Sequence, residues 1–344
     1  MKMKLNAPLN HQMFSFINCW EREKHMRKLS KMQKLSLKRI KKLKRDSVTL
    51  TVCPITGMIL LKSENDSDNI ERFNRKVIYN NIKERNDTIN EIDNLLKRND
   101  WWEIDIEAAD RFMKSIENKD YKQTHRFEGK SLAISLVLNA ANQFCFWVDP
   151  NNQKFRALAS SSYFEVTLDN LMSISDRGMT LRKERMDINS ELLGLYGFAL
   201  RHQFSWLDYV EAATDSKVYN TDYFRKKKNL LWMLFVRFFS GNKIGLDIST
   251  EFINSINPAI DYQIPRLLRG LGIIKCLNPM VKVEGTIEKD SIDEIMLRAV
   301  CYKTLIMIQE KYGYNQVELD YALWENRNKL CEDVEHHCTL TTDY

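Results

Sequence analysis

Asp261-Tyr-Gln-Ile-Pro-Arg-Leu-Leu-Arg-Gly-Leu-Gly272 opens with an acid, meets a proline four residues later and closes on two glycines. Proline suits a first helical position, where its missing N–H has no intrahelical partner. Gly270 and Gly272 both allow the left-handed backbone that ends a helix. Asp261 then lies just upstream of a helix start, where free N–H groups and the macrodipole favour its ionised form. The spacing predicts a short, sharply bounded helix that aims one carboxylate at a fixed place.

Around that stretch the chain reads as helical. Its 344 residues include only 11 glycines and 6 prolines, too few for the turns of a sandwich or barrel. Hydrophobic residues make up 44% and charged residues 28%, the balance of a chain with a sizeable core. The longest apolar run, Leu230–Val236, stops at Arg237 and is short of a membrane span. The first residues lack an apolar signal region with a cleavage site, and the seven cysteines are scattered without a CxxC pair. A reduced, cytoplasmic protein is expected.

The formal charge of +6 is unevenly placed. Residues 1–45 hold 14 of the 52 Lys and Arg against two Glu, so the remainder is mildly acidic. Two parts follow: a basic amphipathic arm over 1–46 and a helical domain over 47–344, single and large. In the arm Met26, Leu29, Met32, Leu35, Ile40 and Leu43 recur near helical spacing among lysines. RNA, an anionic membrane or a partner groove are its functional readings; a solvated helix docked by one face is the plain one. Nucleic acid is therefore a possible partner of the arm, while an acidic body argues against phosphate-backbone binding there. Alternation over Val48–Leu61 suggests a small hairpin.

Further along, helices are expected near Asn74–Lys97, Ile106–Ile116, Met179–Leu200, Trp206–Ala213 and Leu230–Phe239. Trp101-Trp102 reads either as a stacking platform or, more simply, as core where two helices meet. From Leu132 an apolar helix runs toward Asp149-Pro150, with Phe144, Phe146 and Trp147 beside Asn142 and Gln143. That cluster reads as a buried helix end or as a slot that stacks a flat heterocycle while the amides read its edge. Tyr223-Phe-Arg-Lys-Lys-Lys228 reads as charges exposed at one helix end, with one lysine able to face a dry pocket. Ser291-Ile-Asp-Glu294 has the capping-box pattern, and Leu319–Trp324 starts a last helix. Cys331, His336, His337 and Cys338 are bunched without two-pair ligand spacing, so no metal is assigned.

Walker, GxGxxG, HExxH and GxSxG motifs are all absent from the sequence. An acid at a helix start, a lysine cluster, an aromatic–amide cluster and a histidine pair suit cleavage of a C–N glycosidic bond. Positive charge grows on the sugar in that reaction, and a fixed carboxylate stabilises it most at the transition state.

From about residue 135 onward the chain resembles the queuosine-salvage family, the queuosine 5′-phosphate N-glycosylases. Gln143-Phe-Cys-Phe-Trp147 is similar to the family's Asn-Phe-Cys-Phe-Trp. Tyr163…Val166-Thr-Leu-Asp169 and Glu184-Arg185 follow the next blocks, and Lys226-Lys-Lys-Asn-Leu-Leu resembles its Lys-Arg-Ala-Gln block. Asp261-Tyr-Gln-Ile-Pro-Arg…Leu-Gly272 is similar to Asp-Tyr-Arg-x-Pro-Gln…Leu-Gly. Glu294…Arg298, Leu319–Trp324 and His337…Tyr344 complete the order. The resemblance implies an all-α fold related to helix-hairpin-helix DNA glycosylases, with Asp261 catalytic and Lys226 lining the site. Tyr262, Arg266 and His337 join Phe144, Phe146 and Trp147 as substrate-binding candidates. It implies hydrolysis of queuosine 5′-phosphate to queuine and ribose 5-phosphate, with no cofactor.

Departures from the family pattern cluster on phosphate recognition. Gln263 stands where the family has arginine, and Cys338 and Leu340 replace arginines after the histidine. Lost arginines remove bidentate anion contacts that lysine does not reproduce. The family's acid after the lysine block falls at Leu234, and most of a stretch between Trp147 and Ser160 is missing. Two other readings compete: a glycosylase or binding protein acting on DNA or RNA, and a nucleoside-binding protein without turnover.

Overall fold

The structure is a computed structural model that describes residues 67–117, 132–145, 147–149, 152–155, 181–239, 248–330 and 333–344. The basic arm, the expected hairpin and Phe146 lie outside the described residues. Helices dominate the rest, so the all-α expectation holds. They are α1 (Ser67–Arg98), α2 (Ile106–Ile116), α3 (Leu132–Asn142), α4 (Arg182–His202), α5 (Trp206–Thr214) and α6 (Lys217–Asn220). After these come α7 (Lys226–Phe239), α8 (Thr250–Ser255), α9 (Gln263–Gly270), α10 (Ile292–Tyr312) and α11 (Gln316–Leu330). No helix among the described residues is long and apolar enough to cross a membrane.

Among the described residues, three two-stranded ladders join segments distant in the chain or close a turn. Strand β1 (Trp102–Ile104) pairs antiparallel with β4 (Ile274–Cys276), directly after α9. Strand β2 (Trp147–Asp149) pairs with β3 (Asn152–Phe155), and β5 (Gly285–Thr286) runs parallel to β6 (His337–Cys338). Trp102 thus begins a strand and packs against a hydrophobic core, with Trp101 just before it. Likewise α3 stops at Asn142, so Trp147 belongs to a ladder and not to a helix end.

Helix α1 starts earlier than expected because Ile70, Phe73 and Val77 extend its apolar stripe. At 32 residues it is about 48 Å long, long enough to serve two cores. Its first half contributes Ile70, Phe73, Val77 and Ile78 to a core built with α3, α4, α5 and α7. Ile92 of its second half enters another core, made with α2, α9, α10 and α11. The candidate site sits at the seam. Ile260 belongs to the second core and Tyr262 to the first, with Asp261 between them; Phe224 belongs to the second and Leu231 to the first, with Lys226 between.

The Asp261 segment folds mostly as expected, with two corrections. Helix α9 begins at Gln263, so Pro265 occupies the third helical position rather than the first. It is tolerated because the whole first turn has donors without intrahelical partners. Gly270 stays inside the helix, and only Gly272 is left-handed, at φ 68°. Gly272 N–H donates to Arg269 O at 2.8 Å and Ile273 N–H to Leu268 O at 2.9 Å, a Schellman closure. A Cβ at Gly272 meets no atom within 4 Å, so Gly272→Ala carries backbone strain alone, about 1–2 kcal/mol. Gly194→Ala, mid-helix in α4 and equally unobstructed, is expected to stabilise by roughly 0.5–1 kcal/mol. Urea unfolding of the two variants should move the midpoint in opposite directions.

Candidate active site

Asp261 lies one residue before the N-cap of α9 and supplies the cap itself. Its Oδ1 accepts the N–H groups of Gln263 at 2.8 Å and Ile264 at 3.1 Å. Those two donors and the proline leave the first turn with little need of further partners. Asp261 Oδ2 takes no hydrogen bond among the described residues, so one oxygen is fixed by backbone and the other is left for chemistry. The side chain is only half-buried although its neighbours on both sides are enclosed. Burial pushes the carboxyl above the usual carboxylate range, and the Lys226 charge and the two N–H groups pull against it.

Lys226, Lys227 and Lys228 start α7 and are all buried, which reverses the expectation of exposed charges. Each amine finds a different oxygen. Lys226 Nζ donates to Gln143 O, Lys227 Nζ to Val218 O at 3.2 Å, and Lys228 Nζ to Glu84 Oε1 at 2.7 Å. Burial pushes Lys226 down to about 8, with Asp261 and then Asp222 opposing the fall. Lys227 is likewise pushed down to about 8 by burial. Asp320, on α11 and paired with Arg237 at 2.8 Å, adds a second negative charge felt by Asp261 and Lys226. The site therefore combines one free carboxylate oxygen with one proton-rich amine whose charge is marginal near neutrality.

The turn after α3 presents Gln143 O to Lys226, and Arg185 of α4 holds that turn. Its guanidinium donates to Asn142 O at 2.7 Å, to Phe144 O, and to Cys145 O at 3.3 Å. Cys145 is left-handed at φ 41°, which brings the three carbonyls to one side. The Arg185 guanidinium also lies 3.9 Å from the centre of the Phe144 ring, and Lys227 Nζ lies 5.3 Å from it. Phe144 is completely enclosed. Its ring packs against the Arg185 guanidinium and the Lys227 amine, and it has no exposed face among the described residues. Burial raises the Cys145 thiol to about 11, so it is no nucleophile.

The segment 333–344 folds inward over α9. Arg266 Nε donates to Val334 O, and the Tyr262 ring lies 5.0 Å from His336. Tyr262 and Arg266 thus engage the protein's own chain at this end of α9. His337 is fully enclosed, both ring nitrogens lack a hydrogen-bond partner among the described residues, and burial, reinforced by Arg298, pushes it down to about 3. Its ring stays neutral and is enclosed by the described residues. Trp147 opens β2. The structure brings together Asp261, Lys226 and the Gln143 carbonyl.

No family model matches the chain, and no curated protein gives a significant match. The site must be read from its own geometry.

Two residues hold it together: Arg298, met in the sequence only as the end of the Glu294…Arg298 block, and Asp222, which no motif marked. Arg298 of α10 donates through both terminal nitrogens to the two oxygens of Asp222, at 2.9 and 2.8 Å. It also donates to Glu294 Oε1 at 3.1 Å and to Ile260 O at 3.0 Å. Asp222 in turn accepts from the N–H groups of Phe224 and Lys226, at 3.2 and 2.8 Å. The sequence held one signal: Arg298 sits between Leu297 and Ala299-Val300 on an apolar helix, four residues from Glu294. The expected capping box there is half formed. Ser291 Oγ accepts from Glu294 N–H, but Glu294 Oε2 reaches Asp290 N–H because its other oxygen serves Arg298.

Proposed function

We propose that the chain is an N-glycosidase that hydrolyses queuosine 5′-phosphate, or a related 7-deazaguanine nucleoside or nucleotide, to release the base for salvage. The observation that carries this reading is Asp261, whose Oδ1 is fixed by two backbone N–H groups and whose Oδ2 takes no hydrogen bond among the described residues. A rigid carboxylate of this kind favours the oxocarbenium-like transition state over the ground state, because it reorganises little as charge develops.

The bookkeeping of the step is simple. The C1′–N bond breaks, its electron pair goes to the base, and a water oxygen attaches to C1′. Asp261 orients that water and takes its proton. Lys226, still protonated below about pH 8, donates a proton to the departing base or holds the phosphate. On the same reading the helical body is related to helix-hairpin-helix DNA glycosylases and works without a cofactor. The free thiols of Cys145, Cys276, Cys301 and Cys338 fit a reducing, cytoplasmic setting.

Incubation with queuosine, queuosine 5′-phosphate and ordinary nucleotides, followed by mass detection of free base, tests the reading. Base from none of them rejects it. A nucleoside-binding protein without turnover is the second reading, favoured by the bond that Lys226 Nζ already makes to Gln143 O; calorimetric binding with no released base selects it.

The lysine gives a pH prediction. Base release is expected to fall as pH rises through about 8, where Lys226 loses its proton. The loss does not come from unfolding. Lys226 has a lower pKa folded than unfolded, so between about 8 and the ordinary lysine value of 10.5 the unfolded chain binds more protons. Its contribution to stability therefore rises with pH across that window. Rate–pH profiles of wild type and Lys226→Met are the check: the alkaline limb should vanish in the variant, leaving a low, flat rate.

A further inference from the structure

Lys226 and Asp261 come from different helices, and those helices start in different cores. Spacing between them must therefore be set by something that crosses the seam. Neither residue does so directly, because Lys226 Nζ is bonded to Gln143 O and Asp261 to its own helix. Asn229 of α7 ties that helix to Pro258 O at 2.8 Å, and a side chain of α10 reaches the residues that flank both Lys226 and Asp261. The Arg298 guanidinium grips Asp222, the residue that caps α7 at Lys226 N–H, and donates to the carbonyl of Ile260, the residue before Asp261. It is itself sandwiched across the seam, 4.6 Å from the Phe224 ring of one core and 3.9 Å from the Tyr344 ring of the other.

We propose that Arg298 is a positioning residue that sets the separation of Lys226 and Asp261, acting through Asp222 on one and the Ile260 carbonyl on the other. This role in turnover rests on the N-glycosidase reading, but the geometry it asserts can be measured without turnover. The group is well suited to the task. A guanidinium is planar and rigid, and here its two terminal nitrogens are divided among Asp222, Glu294 and Ile260. Burial works against its charge, and Asp222 more than offsets that, so Arg298 stays ionised and in place. The ammonium of lysine at the same position keeps the charge but has no fork, so it cannot hold both oxygens of Asp222 and the Ile260 carbonyl at once.

The test is a double-mutant cycle on the titration of Lys226, followed by ¹³C NMR of ε-labelled lysine and assigned with Lys226→Met. Lys226 feels Asp261 and Asp222 as raising charges and Arg298 as a lowering one, with Asp320 also raising it and Lys227 nearby. Asp261→Asn is expected to lower the Lys226 pKa by more than about half a unit in the wild-type background. In Arg298→Lys the same substitution should shift it by less than half as much, because the two groups no longer keep their spacing. An unchanged shift in folded Arg298→Lys overturns the proposal. A merely structural role lowers thermal stability and leaves the coupling as it was. Should Arg298→Lys not fold, Asp222→Asn takes its place, since asparagine still caps Phe224 N–H while losing the paired charge.

Turnover gives the second arm. Base release by Arg298→Lys is expected to drop on the order of 10–100-fold in kcat with KM nearly constant, the signature of misplaced groups rather than lost binding. Wild-type kcat in that variant also counts against the proposal. A wild-type protein that releases no base sinks the N-glycosidase reading alone, and the titration cycle still decides the placement.

Discussion

Replacing Asp261 with asparagine is expected to cut base release by about 10²–10³-fold while leaving the fold intact. The two halves of that result come from the two oxygens. Asparagine keeps an acceptor at Oδ1, so the N–H groups of Gln263 and Ile264 stay capped, and asparagine is as good a cap as aspartate. What disappears is the charge and the acceptor on the free side. Burial already disfavours that charge, so removing it does not destabilise the helix start, and the thermal midpoint should move by no more than a few degrees. Loss of activity without loss of fold is measured by product mass and by circular dichroism on the same sample. A variant that still releases base at the wild-type rate removes Asp261 from the chemistry. Asp261→Ala is the informative contrast, because it strips the cap as well and should cost about 1 kcal/mol of stability on top of the lost rate.

Much of the fold could be read from the chain, and the reasons are local. Ile106–Ile116 is the expected helix to the residue because Asp105 accepts the Ala108 N–H and the apolar stripe repeats cleanly. The Asp261 segment was legible for the same kind of reason: an acid, a proline and a glycine each act within a few residues. The site was legible only in part. Lys226–Lys228 looked like an exposed charge run, yet their oxygens come from Gln143, Val218 and Glu84, and two of those lie 83 and 144 residues away. No local pattern encodes that. Strand β1 pairs with residues far along the chain in the same way, and each partner is too short to announce itself as a strand. Phe144 and His337 are the converse case. Their motifs invited a ligand, and among the described residues both are enclosed. Arg298 was visible as an arginine on an apolar helix face, but its meaning depended on Asp222, 76 residues earlier.

Arg185 carries the largest expected effect on stability. Arg185→Leu should destabilise the protein by about 3–5 kcal/mol, a midpoint shift of roughly 4–7 °C for a chain of this size. The estimate starts from three buried carbonyls, of Asn142, Phe144 and Cys145, that share one guanidinium. Each hydrogen bond to a charged donor contributes about 1.5–3 kcal/mol, and an orphaned buried carbonyl bears its own desolvation penalty. Relief from burying the guanidinium offsets part of that sum, and leucine still covers the Phe144 ring. Cys145 makes the loss hard to repair, since a left-handed non-glycine residue relaxes once nothing holds its carbonyl. The consequence reaches the site, because the same turn carries the Gln143 carbonyl to Lys226. Arg185→Leu should therefore lower the midpoint in thermal unfolding and, at temperatures where it is still folded, return the Lys226 titration toward the ordinary lysine value. A loss below about 1 kcal/mol would mean that the turn after α3 holds its shape without the arginine, and that Lys226 owes its position to α7 alone.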